Sequence, residues 1–383
     1  MEFEYREEEK SIRSLARDFA EKEVAPGAEE RDRTGEFHYD LWRRLGELGL
    51  LGVMFPEKYG GSDAGLLAFC LATEELARAD ASLAVTYQVG VDSAARIIIF
   101  GNEEQKAEFI PPVVRGETLG SGGITDPDSG SDLKSMKAKV TLKDGHWVLN
   151  GSKAFVTNVG TDITSICFVV ARDDEVNGYT TVIVPEPRKM PGFTIMPKYK
   201  KMGLKSSDTH EIHFDDVRVP EKNILGERGK SLGLNLAGLT IGRTVVSSCG
   251  LGVAQACLDA SLAYAQERIA FGQPIFKFQH VQDMLVEMAL SIELGRLIRD
   301  KTASMLRGKG TAADIKQVSK VNSMCKLFCT ETAKKCTDLA ISVFAGAGFI
   351  DDCPVSRYYR DARALTIVDG TSQIHKLIIA RNL

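Results

Sequence analysis

The spacing of apolar residues divides the chain into three regions, and the first region is helical. Apolar residues recur there every three or four positions, beginning with Ile12, Leu15, Ala16 and Phe19. The same spacing predicts further helices over residues 39–52, 66–84, 91–101 and 103–117. The first half of 66–84 is apolar on nearly all sides, which indicates a buried helix.

From about Gly120 the pattern changes to short apolar segments that alternate with polar residues and are separated by turns. These segments lie at 137–158, 164–172, 179–186, 193–199 and 210–220. Asp144-Gly145 stands between two alternating stretches, which is a strong hairpin signal. Five or six strands with no helix among them predict a small β-barrel or β-sandwich.

After about Gly229 the pattern is helical again, with long segments over 234–271, 280–309 and 312–348. Helices of this length pack naturally as an antiparallel four-helix bundle. The sequence therefore predicts an α+β multidomain fold. It contains an N-terminal all-α domain (1–120), a central β-barrel or sandwich domain (121–228) and a C-terminal α-helical bundle (229–383).

Composition and charge exclude several classes of function. The chain has 383 residues, a net charge of −4 and a pI near 6.0, so it lacks the basic balance that nucleic acids or anionic membranes attract. No apolar run reaches the length of a membrane span, and the charged N-terminus has no signal-peptide pattern, which predicts a cytoplasmic protein. The eight cysteines form no CxxC pair, so we expect buried free thiols and no metal site, with Cys325, Cys329 and Cys336 on one helical stripe.

Candidate chemistry lies in turns made of small polar residues. The motifs of Rossmann dinucleotide sites, P-loops, zinc peptidases and serine hydrolases are missing. The segment GGITDPDSGSD (122–132) offers glycines, hydroxyls and backbone N–H groups that can hold a phosphate or a flavin edge, although composition alone favours a surface loop. Near the C-terminus, TIVDGTSQI (366–374) has the composition of a strand that ends at an Asp-Gly turn.

Taken together and in order, nine segments resemble the acyl-CoA dehydrogenase family over essentially the whole chain. They are FPEKYGG (55–61), FGNEEQKAEFIPPVVRGE (100–117), ITDPDSGSD (124–132), LNGSKAFVTN (149–158), MGLKSSDTHEIHFDDVRVPEKNILG (202–226), ERIAFGQPI (267–275), AGAGF (345–349), RYYRDARALTIVDGTSQI (357–374) and ARN (380–382). The resemblance implies an FAD enzyme that removes the α-proton of an acyl-CoA thioester and passes a hydride from the β-carbon to flavin N5. It also implies a homotetramer that is reoxidised by an electron-transfer flavoprotein.

The resemblance assigns residues to the cofactor and to CoA. The flavin and its phosphates would be contacted by Ile124, Thr125, Gly130, Ser131, Phe155, Thr157, Gly346, Thr371 and Gln373, and the FAD of a neighbouring subunit by Arg268, Phe271 and Gln279. Ser131, Arg243 and Arg381 match substrate-binding positions. The chain departs from the family at Phe155, where Trp is usual, at Ser342 and Ala345, where Gln and Gly are common, and at Thr240, where Asp is common.

The most informative departure concerns the catalytic base. The family usually has Glu at the position of Asp369, and a second base position used in some branches is Gly242 here, which cannot serve. Asp is shorter than Glu by one C–C bond, about 1.5 Å, so the substrate proton must come closer to it. A cyclic or α-branched acyl group would bring it closer.

Asp92 is a second candidate, because a carboxylate on a mostly apolar helical segment needs a partner or a function. One interpretation is a helix N-cap formed by Asp92-Ser93. The other resembles the branch of the family that acts on alicyclic acyl-CoAs, in which an aspartate here removes a proton from another carbon.

Two alternatives to a dehydrogenase stay open at this level. Relatives of the nitroalkane oxidase type use an Asp base without CoA, and a non-catalytic FAD- or CoA-binding subunit would have no need of the base. Arg243 and Arg381 favour the dehydrogenase over the oxidase, and the carboxylate at residue 369 argues against the non-catalytic subunit.

Overall fold

Three blocks of secondary structure follow one another along the chain, first helices, then strands, then helices, which confirms the predicted fold class. The computed structural model describes residues 4–306 and 312–383. In this described part, the first block has six α-helices: α1 (Glu7–Phe19), α2 (Ala28–Thr34), α3 (Tyr39–Glu47), α4 (Leu66–Ala79), α5 (Ala81–Phe100) and α6 (Glu103–Val114).

The helix predicted over 66–84 is wrong as one element, because the chain breaks at Asp80. This residue has an extended backbone (φ −153°, ψ 106°), and its carboxylate accepts hydrogen bonds from the N–H groups of Ser82 and Leu83. It is therefore the N-cap of α5, a position where aspartate satisfies otherwise unpaired backbone donors. The segment predicted over 91–101 is the second half of the same 20-residue helix.

The middle block forms one curled sheet of seven strands within the described residues, with strand order β1-β4-β2-β3-β7-β6 and β5 beside β4. The strands are β1 (Leu119–Gly123), β2 (Lys139–Lys143), β3 (His146–Thr157), β4 (Thr164–Asp173), β5 (Gly178–Pro185), β6 (Phe193–Ile195) and β7 (Thr209–Pro220). The hairpin predicted at Asp144-Gly145 joins β2 to β3, and both turn residues have the positive φ that a two-residue hairpin turn requires (50° and 69°).

The hydrophobic pattern missed β1, which consists of leucine, glycine and serine. It pairs in parallel with β4, and close packing explains its composition. A Cβ at Gly122 would lie 2.1 Å from the ring of Phe168, so a residue with a side chain does not fit there.

The third block contains the predicted long helices and two shorter ones that the pattern did not separate. They are α7 (Ser231–Glu267), α8 (Gln279–Met305), α9 (Ala312–Phe344), α10 (Pro354–Leu365) and α11 (Ser372–Arg381), with a small hairpin of β8 (Ile269–Ala270) and β9 (Gln273–Pro274) after α7. The end of the helix predicted over 280–309 lies outside the described residues from 307 onward. Cys325, Cys329 and Cys336 are buried on α9, as expected.

Two helices contradict the expectation that no apolar run reaches the length of a membrane span. Ala81–Phe100 and Gly238–Glu267 both reach a mean hydropathy of 1.3 and are long enough to cross a membrane by length and composition. However, 72% and 78% of an 18-residue apolar stretch in the respective helices is buried inside the protein, as in core helices. Helix α7 packs against α4, α5 and α9, and it therefore joins the two helical blocks.

Candidate active site

Asp369 lies in the turn between α10 and α11, so the strand suggested by the composition of 366–374 is wrong. Asp369 and Gly370 both have positive φ (54° and 106°), a conformation that Gly adopts freely and that Asp tolerates better than most residues. Two buried cations bind the carbonyls of this turn. Arg243 Nε donates to Asp369 O at 3.1 Å, and Lys326 Nζ donates to Gly370 O at 2.7 Å. The turn is thereby fixed to α7 and α9.

The Asp369 carboxylate lies between α5 and the backbone of α7. Gln88 Nε2 donates to Asp369 Oδ2 at 3.1 Å and also to the carbonyl oxygen of Gly242 at 3.3 Å. A Cβ at Gly242 would lie only 3.1 Å from Asp369 Oδ2. The glycine at the position of the second family base therefore provides space for the carboxylate of the first.

Asp92 lies on the same face of α5 as Gln88, one helical turn later. It is inside the helix, so the interpretation of Asp92 as a helix N-cap is wrong. Its Oδ2 accepts a hydrogen bond from Arg96 Nε at 3.1 Å, whereas its Oδ1 is buried and has no hydrogen-bond partner among the described residues. Arg96 in turn donates to Asn235 Oδ1 at 3.2 Å and packs over the ring of Phe168.

Burial and charge shift the ionisation of the groups around Asp369. Burial raises the pKa of Asp92, the Arg96 guanidinium opposes this increase, and the Asp369 carboxylate adds to it, so the two carboxylates are electrostatically coupled. Burial lowers the pKa of Lys326 to about 8 and also lowers the pKa of Arg243. Burial, with the charges of Arg243 and Lys326, lowers the pKa of His375 to about 3, which keeps this imidazole neutral.

The strand β3 presents the residues that the sequence assigns to the flavin ring. Phe155 has a φ of 57° and 68% of its side chain is exposed, an unusual state for an aromatic residue in a strand. Asn158 follows Thr157 and donates to the carbonyl of Thr86 on α5 at 3.1 Å. The end of β3 therefore borders the same stretch of α5 that carries Gln88 and Asp92.

The loop 124–131 is attached to β3 at one end and exposed at the other. Lys153 Nζ donates to Ile124 O at 3.0 Å, and the N–H of Ala154 donates to Thr125 O at 2.8 Å. Gly130 and Ser131 are exposed. The exposed ring of Phe155 offers a stacking surface, and Thr157 and the small polar residues of the loop offer hydrogen-bond donors. A flavin nucleotide requires both kinds of contact.

The remaining assigned residues make no hydrogen bond to the Asp369 carboxylate within the part of the chain that the structure describes, and most of them are exposed. Phe271 is 96% exposed at the turn between β8 and β9 and has a φ of 50°. Thr371 is half-buried and caps α11 by accepting a hydrogen bond from the N–H of Ile374 at 3.3 Å. The fully exposed positions are Arg268, Gln279, Gly346, Gln373 and Arg381.

The sequence interpretation missed Gln88, Arg96 and Lys326. The signal for the first two was present, because Gln88, Asp92 and Arg96 are spaced four residues apart on a helix that is otherwise mostly apolar. Lys326 gave no comparable signal. It is one of many lysines, and only the fold shows that this one is fully buried.

Comparison with known proteins assigns the family. The N-terminal, middle and C-terminal domain models of acyl-CoA dehydrogenase match residues 6–117, 121–217 and 232–383. The probable acyl-CoA dehydrogenase YngJ of Bacillus subtilis is 39% identical over 386 residues, which cover 100% of each chain. Butyryl-CoA dehydrogenase from Megasphaera elsdenii superimposes with a TM-score of 0.93 at 36% identity, covering 100% of this chain and 99% of that one.

A chain from a structure of the electron transferring flavoprotein of Acidaminococcus fermentans, solved to study flavin-based electron bifurcation, is equally similar. It superimposes with a TM-score of 0.94 at 35% identity and covers 100% of this chain and 99% of that one. These matches extend over the whole length of the chain and include all three of its blocks. The chain therefore belongs to the acyl-CoA dehydrogenase family, whose members are FAD-dependent oxidoreductases that act on the CH–CH group of acyl-CoA thioesters.

Proposed function

We propose that Asp369 is the base that removes a proton from the acyl chain of the CoA thioester, and that Asp92 is a second carboxylate in the same acyl pocket. The observation that carries this proposal is the unpaired, buried Oδ1 of Asp92, one helical turn from the residue that binds the Asp369 carboxylate. Residues four apart on a helix have Cβ atoms about 5–6 Å apart. Gln88 binds the Asp369 carboxylate, and that carboxylate also acts electrostatically on Asp92, so the two carboxylates are near enough to address different carbons of one acyl group.

In this proposal Asp369 removes the α-proton, which is the more acidic proton of the acyl chain. The thioester carbonyl acidifies the α-carbon, and the effect is greater in a site without water. Asp369 reaches into the site from a turn that Arg243 and Lys326 hold rigid. FAD, when bound, supplies the acceptor for the two electrons that leave the β-carbon.

The burial of Asp92 supports an acid–base role and not a purely structural one. A buried carboxylate oxygen without a donor is costly, and it is retained where a ligand or a reacting proton completes the site. The raised pKa of Asp92 also brings this group closer to neutral pH, where a general base works best. These features support a cyclic or α-branched substrate of the cyclohexane- or cyclohexene-carboxyl-CoA type.

The assigned cofactor and CoA contacts are part of the same proposal. Phe155 and Thr157 would hold the flavin ring, and Ser131 and Arg381, both exposed, would contact CoA. Arg243 is buried against Asp369 O, so its contribution to CoA binding would act through the turn. The full exposure of Phe271 supports a homotetramer in which this ring reaches a neighbouring subunit. The similarity to a chain in the Acidaminococcus structure supports an electron-transfer flavoprotein as electron acceptor.

The test compares Asp369→Asn with Asp92→Asn in the FAD-loaded enzyme. Each variant is mixed anaerobically with butyryl-CoA, cyclohexane-carboxyl-CoA and cyclohex-1-ene-carboxyl-CoA, and the flavin absorbance is followed. We expect Asp369→Asn to abolish bleaching by butyryl-CoA and cyclohexane-carboxyl-CoA, which have an α-proton. Asp92→Asn should abolish it only for cyclohex-1-ene-carboxyl-CoA, whose α-carbon carries no proton.

Three results would contradict parts of this proposal. Full bleaching of the Asp369→Asn variant by butyryl-CoA or cyclohexane-carboxyl-CoA would exclude Asp369 as the base. Equal loss or equal retention across all substrates in Asp92→Asn would exclude a second base. Bleaching of the wild-type enzyme by a nitroalkane but by no CoA ester would support the oxidase alternative.

A further inference from the structure

We infer that Gln88 is a positioning residue for the catalytic base: its side-chain amide orients the Asp369 carboxylate and stabilises its ionised form. This inference rests on the proposed role of Asp369. It adds Gln88 to the proposed site. Asp369 requires this contact because Asp369 is an aspartate and lies against α7.

The contacts of Gln88 fix the orientation of its amide. Both Asp369 Oδ2 and Gly242 O are acceptors, so the NH₂ group and not the carbonyl must face them. The Oε1 atom points the other way, where the Cys249 thiol lies 3.8 Å from it. Gln88 is only 6% exposed, so water does not compete for these contacts. The amide therefore presents one N–H to the carboxylate in a fixed direction.

No other element supplies a hydrogen bond to this carboxylate among the residues that the structure describes. Arg243 on α7 and Lys326 on α9 donate to the carbonyls of the turn. Asp92 on α5 adds negative charge, and His375 on α11 is neutral at the pH values of interest. The two cations act at a distance on the carboxylate, whereas Gln88 touches it.

The short side chain explains why this contact matters. Asp369 has one rotatable bond fewer than Glu. If its side chain rotates away from the substrate, it therefore has no additional bond with which to bring its oxygens back into reach. A hydrogen bond from a fixed amide selects one rotamer and favours the charged form of the acceptor. Removal of the donor should therefore disfavour the ionised form of the carboxylate and leave its orientation less defined, with substrate affinity largely unchanged.

The experiment measures the pH dependence of kcat and KM for Gln88→Met, which preserves the size of the side chain and removes the donor. We expect the acid limb of the kcat profile to move to higher pH by about one unit, because a hydrogen bond to an ionised group is lost. On that limb kcat should fall about tenfold, while KM changes less than about threefold. Exchange of the substrate α-proton with D₂O should slow by the same factor, because it reports on the base itself.

Gln105→Met is the matched control. Gln105 is also a buried glutamine whose Nε2 donates to two carbonyls, those of Lys222 and Ile224, but it lies at the start of α6. Its loss should lower the unfolding temperature without moving the pH profile. If Gln88→Met retains FAD poorly, Gln88→Glu carries the same test. It keeps the size and, when ionised, puts a like charge in place of the donor, so it should move the acid limb further.

The outcomes separate this inference from the proposed function. An unmoved acid limb in Gln88→Met and Gln88→Glu, with kcat lowered equally at every pH, would overturn the role of Gln88 and leave Asp369 as the base. A change in KM alone would also overturn it. Full α-proton exchange in Asp369→Asn would instead refute the proposed base, whatever the Gln88 variants do.

Discussion

Gly242→Ala tests whether the space beside α7 is required by the Asp369 carboxylate. The added Cβ would lie 3.1 Å from Oδ2, 3.5 Å from Cγ and 3.7 Å from Oδ1 of Asp369. The first distance is shorter than an ordinary contact, so the carboxylate must shift by a few tenths of an ångström. The hydrogen bond from Gln88 to the carbonyl of Gly242 needs no change, because the backbone is not altered.

The expected effects on stability and activity have opposite signs. Alanine in a helix interior is more stable than glycine by about 1 kcal/mol, so the free energy of unfolding should be unchanged or higher. A misplacement of about 1 Å at a reacting group costs on the order of 100-fold in rate, so a shift of a few tenths of an ångström should lower kcat by about three- to tenfold.

The assay combines chemical denaturation with steady-state kinetics on a CoA ester. Gly233→Ala is the matched control, because Gly233 lies in the same helix and a Cβ there meets no atom of the described residues within 4 Å. It should leave kcat unchanged. Wild-type kcat in Gly242→Ala, or a fall in kcat that only parallels a loss of stability, would refute the reasoning.

Two further variants test other parts of the structure. Burial raises the pKa of Asp361 to about 7, so the folded state holds a proton that the unfolded state releases above about pH 4, and stability should fall as pH rises from about 4 to 7. Asp361→Asn, whose Oδ1 can still accept from the N–H of Leu204, should remove this fall in denaturation curves measured at each pH, and an unchanged pH dependence would contradict the assignment. Phe271→Ala should leave the unfolding free energy of the subunit unchanged, because the ring is 96% exposed, but should lower FAD retention and weaken the tetramer in sedimentation experiments. An unaltered FAD content would contradict a role for this ring at a neighbouring subunit.

The order of the three blocks was predictable because each type of element repeats its own hydrophobic period. The elements that the sequence did not predict correctly have local causes. In β1 the ring of Phe168 occupies the space of a side chain at Gly122, and Ser93 and Lys153 crowd Gly120 and Gly123 in the same way. These are tertiary constraints with no sequence period. The break at Asp80 depends on one capping carboxylate inside a segment of uninterrupted helical spacing, and periodicity does not detect a cap of this kind.

The site was predictable only as far as the family pattern extends. Asp369 and the residues that we propose to contact the flavin follow from segments in register with the family. Gln88 does not, because its contact with Asp369 joins residues 281 positions apart, and no linear spacing relates them. The polar series of Gln88, Asp92 and Arg96 was nevertheless visible, and the reasoning that selected Asp92 applies equally to its two neighbours.

The small residues of α7 also have a local explanation. Gly238 and Gly242 are four residues apart and therefore lie on one face of the helix, the face that meets α5 and the base turn. A Cβ at Gly238 would lie 2.4 Å from Arg96 Nη1, and one at Gly242 would lie 3.1 Å from Asp369 Oδ2. Each glycine thus makes room for one charged group. Gly238 makes room for the Arg96 guanidinium, and Gly242 makes room for the Asp369 carboxylate. Glycine inside a helix is less stable than alanine by about 1 kcal/mol. The presence of two glycines on one face of α7 is explained if the carboxylates of Asp92 and Asp369 must both approach the same acyl group.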